Sequence, residues 1–328
     1  MRLLVLGGTV FVSRAVAEAA LARGLEVTTS SRGVSGTPPE GAVHVIADRD
    51  APLPAELTDP GFDVVVDVSR RPSQVRSALA QIDARHRVFV SSISAYADEA
   101  TRGGGPGILP LHEPLFDDSD DPEAYGPMKA ACERLVAEAA SHTIVRPGLI
   151  VGPGDRSGRF TYWVDRLRRA GDGEIVLAPG DPADAVQVID VRDLAEWIVL
   201  LAERRTVGVF DAVDQPRPIG GFLDDIAAGV AARPRWRWAT DEQLEGIGVE
   251  PWMGPRSLPL WLPRPEYDGM MTHLAGPALQ AGLAPRPIAD TARDTRAWLD
   301  ATPGAVVTGL TAAEELEALS TLGPPQSR

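Results

Sequence analysis

Tyr125-Gly126-Pro127-Met128-Lys129 sets a phenol and an ammonium one helical turn apart. Hydride reduction of a carbonyl needs a proton donor beside the nascent alkoxide. A tyrosine serves once a neighbouring cation draws its pKa down from about 10. With four tyrosines in 328 residues, such a pairing with the only lysine arises by chance about once in a hundred. Lysine and arginine total 32, and Lys129 is the single lysine among them. A chain that uses arginine everywhere else keeps an ammonium here, and arginine is too large, planar and permanently charged to replace it. The third expected member is Ser92. It follows the apolar run Val88-Phe89-Val90, whose C-terminal end is where ligands sit in a parallel sheet. Ser91 and Ser94 are its neighbours, and serines at a strand end also form turns.

A cofactor site is expected at the other end of the same half of the chain. A short apolar strand, Leu3 to Leu6, runs into Gly7-Gly8-Thr9-Val10-Phe11-Val12-Ser13 and then into helical spacing. A glycine turn opening a helix offers backbone N–H groups and a helix dipole to a pyrophosphate. A full G-x-x-G-x-x-G would place glycine at 10 and 13, where this chain has Val10 and Ser13. The second strand ends in Ser30-Ser31-Arg32, with no acid for a ribose 2′-OH and a guanidinium for a 2′-phosphate. NADP is therefore expected, with NAD as the alternative. Asp48 is placed to meet the adenine or to cap a turn, and Ser69 and Lys129 complete the expected cofactor set.

These residues need elements to hold them. Strands are expected at 3–6, 27–30, 43–47, 64–68, 87–91 and 143–145, with helices at 13–23, 73–82 and 125–140. The alternation predicts an α/β fold, a Rossmann-type doubly wound parallel sheet with a smaller interwoven C-terminal substrate domain. The dinucleotide-binding domain is expected over 1–147 and about 184–209, the substrate domain over about 148–183 and 210–303, and a C-terminal tail over 304–328. Residues 97–123 form a long polar loop. Thr311–Leu319 is expected to be helical and Gly323–Arg328 frayed. Asp190 and Asp193 read as helix N-terminal residues. Ser94, Arg156, Tyr162 and Trp163 are candidate substrate contacts, while Arg166, Arg168 and Arg169 read as a solvated helix face.

The formal net charge of −14 argues against nucleic acid as a partner. One cysteine, Cys132, excludes an intrachain disulfide and suits a reducing compartment. No apolar run approaches the roughly 20 residues of a membrane span. A cytoplasmic monomer or homodimer acting on a small molecule, without a metal site, is expected.

Together these segments resemble the extended short-chain dehydrogenase/reductase family, labelled NAD-dependent epimerase/dehydratase. The resemblance covers about residues 1 to 300. It rests on Gly7-Gly8-Thr9-Val10-Phe11-Val12, Val90-Ser91-Ser92-Ile93-Ser94-Ala95-Tyr96, Tyr125 to Lys129, and Val145-Arg146-Pro147-Gly148-Leu149-Ile150-Val151-Gly152-Pro153. The Gly-Gly-Thr-x-Phe form and Arg159-Phe160-Thr161-Tyr162-Trp163 resemble an atypical branch. The resemblance implies Tyr125 as acid/base, Lys129 as a holder of the nicotinamide ribose, and Ser92 as orienter of substrate. Ser92-Ile93-Ser94 stands where 4,6-dehydratases carry Thr-Asp-Glu, so it implies no dehydratase pair. Keto-reduction is the expected activity, with epimerisation through a transient ketone as the alternative. A non-catalytic dinucleotide- or RNA-binding protein is the alternative from another class.

Overall fold

The structure is a computed structural model and describes residues 1–59 and 61–323; residues 324–328, within the stretch expected to fray, lie outside them. Six strands, β1 (Arg2–Leu6), β2 (Glu26–Ser31), β3 (Val43–Ile46), β4 (Phe62–Asp67), β5 (Ala84–Val90) and β6 (His142–Pro147), join an edge strand at Gly208–Ala212. All lie parallel in the order edge–β6–β5–β4–β1–β2–β3. Strand order reverses between β1 and β4, which makes their C-terminal ends the switch point where ligands bind in such sheets.

Helices α1 (Phe11–Ala22), α2 (Ala55–Thr58), α3 (Pro72–Gln81) and α4 (Tyr125–Val136) run between successive strands. Leu4, Leu6 and Val65 pack with Leu57, Phe62, Ala78 and Ile82, and Phe89 and Ile144 pack with Val75, Cys132 and Val136. Leu3 and Val5, pointing the other way from β1, are buried as well. Burial on both faces explains why these strands read as unbroken apolar runs. Each fully buried aliphatic side chain contributes about 1.5–3 kcal/mol.

The chain divides into two units. The first comprises Met1–Leu149, Val191–Asp214 and His273–Pro285, and the second Ile150–Asp190, Gln215–Thr272 and Arg286–Arg328. This differs from the sequence-based boundaries at four places. Phe210 to Ala212, expected in the substrate domain, completes the edge strand, where Val209 and Phe210 pair with Ile144 and Val145. That five-residue strand holds a glycine and an aspartate and carries no apolar run to announce it. His273–Pro285 also belongs to the first unit, whereas 184–190 belongs to the second. The expected tail belongs to the second unit, and the helix expected within it runs over Ala312–Leu322, opened by a Thr311–Glu314 capping box.

Candidate active site

The glycine turn is built for close approach. Gly7 and Gly8 have φ of +126° and +91°, and a Cβ on Gly8 would overlap the buried Thr29 side chain. A Cβ on Gly7 would come 3.0 Å from Ser13 Cβ and Oγ, so the close approach of Ser13 favours glycine at 7. Val10 departs from the glycine pattern without cost to the backbone, because φ −139° and ψ 134° suit any L-residue. It precedes α1 without a side-chain cap, which leaves first-turn N–H groups for an anion. Phe11 opens α1 at φ +40°, a strained backbone for an aromatic residue, at the point where a ligand would approach. Thr9 and Val12 lie within the same turn and the first turn of α1.

A cleft of about 320 Å³ opens beside this turn at the ends of β1, β2, β3 and β4. Gly7, Ser31, Arg32, Asp48 and Ser69 line it, as does Ser30. Ser30 Oγ is buried without a hydrogen-bond partner, an orphan that a ligand hydroxyl or phosphate would satisfy. Ser31 Oγ accepts from Gly33 N at 3.2 Å and shares a hydrogen bond with His44 Nε2 at 3.3 Å. Arg32 is exposed. Asp48 accepts from Asp50 N at 3.1 Å, so its turn role is observed. Glycines that admit close approach, uncapped helix N–H groups and the orphan hydroxyl together fit a dinucleotide. The sequence reading missed Arg49 and Arg71 on the cleft wall. Arg49 is bidentate to Asp67 at 2.8 and 2.7 Å, and Arg71 pairs with Asp120 at 2.9 Å. Their charges are spent within the protein, whereas Arg32 remains for a ligand.

Tyr125, half-buried, begins α4. A Cβ on Gly126 would overlap the Ser94 carbonyl, so glycine lets the start of α4 press onto the 92–94 turn. Ser92 Oγ lies 3.1 Å from both Ser94 N and Ser94 Oγ, capping the short helix Ile93–Ala95. Lys129 is 3% exposed. Its Nζ donates to Ser69 O at 2.9 Å and Val90 O at 2.7 Å, and lies 4.8 Å from the centre of the Phe89 ring. An ammonium has three donors, so one N–H is left for a ligand. Ser69 thus faces the cleft with its residue lining while its carbonyl holds Lys129.

A buried polar chain runs behind this pair and was not foreseen. Ser91 Oγ donates to Glu133 Oε1, and Arg146 grips Glu133 through Nε at 2.9 Å and a second guanidinium nitrogen. Arg146 donates to Tyr96 OH at 2.7 Å, Tyr96 OH donates to Asp211 at 2.8 Å, and Asp211 meets His273 Nδ1 at 2.9 Å. Burial, then the Asp211 carboxylate, pushes the Tyr96 phenol well above its ordinary pKa. Burial works against the Arg146 charge, but Glu133 outweighs it and the net shift is upward. The available signal was spacing: Glu133 follows Lys129 by four residues and shares its helix face.

In the second unit, two expected substrate contacts are corrected. Tyr162 and Trp163 are 2% and 0% exposed. Trp163 Nε1 donates to Pro259 O at 2.8 Å, and the two rings pack edge-on at 5.1 Å. They are core, because the helix Arg159–Arg168 turns its aromatic face inward. Arg166, expected in solvent, is buried between Glu315 and Glu174. Arg156 is exposed and Ser94 half-buried. Asp190 accepts from Thr291 Oγ1 at 2.7 Å, and Asp193 sits in the first turn of the helix Val191–Arg204.

Fold and site define a dinucleotide-dependent α/β enzyme of the extended short-chain dehydrogenase type. The chain belongs to the NAD dependent epimerase/dehydratase family, whose signature matches residues 3–212. Among solved structures, a protein of Burkholderia cenocepacia J2315 described as a candidate epimerase superposes with TM-score 0.66 at 19% identity, covering 92% of this chain and 98% of that one. UDP-glucuronic acid 4-epimerase from Bacillus cereus, in complex with NAD, gives TM-score 0.61 at 14% identity over 92% and 99% of the two chains. MoeE5, in complex with UDP-glucose and NAD, gives 0.61 at 20% identity over 92% and 99%. At these identities the likeness is one of fold. No curated protein sequence matches the chain.

Proposed function

We propose that the protein transfers a hydride between NADP(H) and the secondary alcohol or ketone of a small metabolite, with Tyr125 as acid/base. The observation that carries this reading is Lys129: a buried ammonium fixed by the Ser69 and Val90 carbonyls, one helical turn from Tyr125. When bound, the nicotinamide supplies or accepts the hydride. Tyr125 gives the substrate oxygen its proton in reduction and takes it in oxidation. Lys129 offers its remaining N–H to the nicotinamide ribose. Ser92 orients the substrate oxygen. Gly7 to Val12, Ser31, Asp48 and Ser69 hold the dinucleotide.

Arg32 supports NADP over NAD, since it lines the cleft, is exposed, and stands where an acid would otherwise meet a 2′-OH. Epimerisation through a transient ketone uses the same residues and is the second reading, favoured by family membership. Nucleotide sugars, such as the UDP-glucose that MoeE5 binds and the UDP-glucuronic acid for which the Bacillus cereus 4-epimerase is named, and other glycosylated or polyketide-like metabolites are the proposed substrate classes. A cytoplasmic setting is supported by the single cysteine. No helix among the described residues is long and apolar enough to cross a membrane.

Calorimetry with NADP⁺ and NAD⁺ tests the cofactor, and NADPH absorbance with a panel of ketones tests the reaction. Tighter NADP⁺ binding and net NADPH consumption are expected. Substrate inversion without net consumption would replace reduction by epimerisation. Absence of binding to either dinucleotide would remove the enzymatic reading.

A further inference from the structure

We infer that Glu133, with Ser91 and Arg146, is a positioning clamp that sets the catalytic stripe of α4 against the end of β5; this rests on the assignment of Lys129 as a cofactor ligand. Residues 125, 129 and 133 recur at four-residue steps along one stripe of α4. Two of them grip consecutive residues of one strand end. Lys129 Nζ holds the Val90 carbonyl at 2.7 Å, and Glu133 accepts from the Ser91 hydroxyl. Ser92 follows directly, and Tyr125 lies one turn before Lys129. Two anchors on successive turns fix both the rotation of α4 about its axis and its slide along β5. One anchor would fix neither.

Arg146 on β6 locks the second anchor, since its fork meets both Glu133 oxygens while another nitrogen reaches Tyr96 OH. Glu133, Arg146, Ser91 and Tyr96 are all buried. A buried ion pair contributes little to stability that an apolar pair of equal volume would not, because desolvation offsets the attraction. What the charged pair does supply is a directional, bidentate geometry. The structure therefore spends a buried charge pair on aim, at the one place where the aim of Lys129 matters.

This separates positioning from stability experimentally. The triple variant Ser91→Ala/Glu133→Leu/Arg146→Met removes the clamp without leaving a buried charge unpaired. Its thermal midpoint should equal or exceed that of the parent. NADPH binding, followed by nicotinamide fluorescence, should weaken about tenfold, the same direction as Lys129→Ala. Ser91→Ala alone, which strands no charge, should weaken NADPH binding about threefold and covers the case in which the triple variant fails to fold. Parental NADPH affinity in a folded triple variant, or in Ser91→Ala, overturns the clamp. Parental affinity in Lys129→Ala instead overturns the assignment of Lys129 as a cofactor ligand, and so tells the two failures apart.

Discussion

The two ends of the candidate site are finished differently. Behind Lys129 a run of polar groups is engaged: Ser91, Glu133, Arg146, Tyr96 and Asp211 form one buried chain. Around Arg32 three groups are left open: an exposed guanidinium, an orphan Ser30 hydroxyl and an uncapped helix start. Saturation belongs where geometry must be held before any ligand arrives, because a half-satisfied buried network is worse than none. Open valences belong where a ligand will complete them. On the function proposed above, the first end carries the proton chemistry and a ribose contact, and the second recognises the rest of the cofactor.

The sharpest way to break this division is Tyr125→Phe. It should lower the rate of carbonyl reduction about 10²- to 10⁴-fold, while NADP⁺ affinity in calorimetry stays near the parental value. Substantial retained turnover would show that the saturated end does not carry the chemistry. The next effect is on stability. Glu133→Ala leaves the buried Arg146 uncompensated and should cost about 3–5 kcal/mol in urea denaturation. A loss below about 1 kcal/mol would mean that the chain behind Lys129 is not the closed, low-dielectric network described above.

At the open end, Arg32→Ala should weaken NADP⁺ binding about tenfold, or about 1.4 kcal/mol, and leave NAD⁺ binding unaltered. Equal losses for both would assign Arg32 to the common part of the dinucleotide. The smallest effect concerns pH. His86, on β5 beneath the site, is held by Ser141 and Thr143, and burial, then Arg205 and His142, lowers its pKa to about 4. The unfolded chain therefore takes up a proton near pH 6.5 that the folded chain refuses until about pH 4. Stability is full above pH 6.5 and falls as pH drops through that window, by about 1 kcal/mol between pH 7 and 5.5. His86→Gln should flatten this part of the stability curve measured by urea titration.

Much of the first unit was legible in its sequence. Apolar runs buried on both faces, punctuated by Gly7 and Gly24, carry their own period and breaks, so strands and helices fall within a few residues of expectation. The edge strand Gly208–Ala212 was not legible, because its pairing with β6 rather than its composition makes it a strand. In the second unit the aromatic cluster Tyr162–Trp163 was read as a grip and is core. Composition alone does not say which face of a helix turns inward. Glu133 was overlooked for a related reason: a lone acid on a helix reads as surface until a partner is brought to it from β6.

What the sequence determined by itself is local: the Tyr125–Lys129 spacing, the glycine turn, the absence of an acid at Arg32, and the one lysine kept among arginines. These follow from covalent order and helical pitch, which need no distant partner. What only the tertiary structure decided is which charges are free and which are spent. Arg32 and Arg146 are the same residue type, yet one is exposed and the other is locked to Glu133 and Tyr96, 13 and 50 positions away along the chain. Electrostatic work depends on distance and burial, and those exist only once β5, β6 and α4 have packed together.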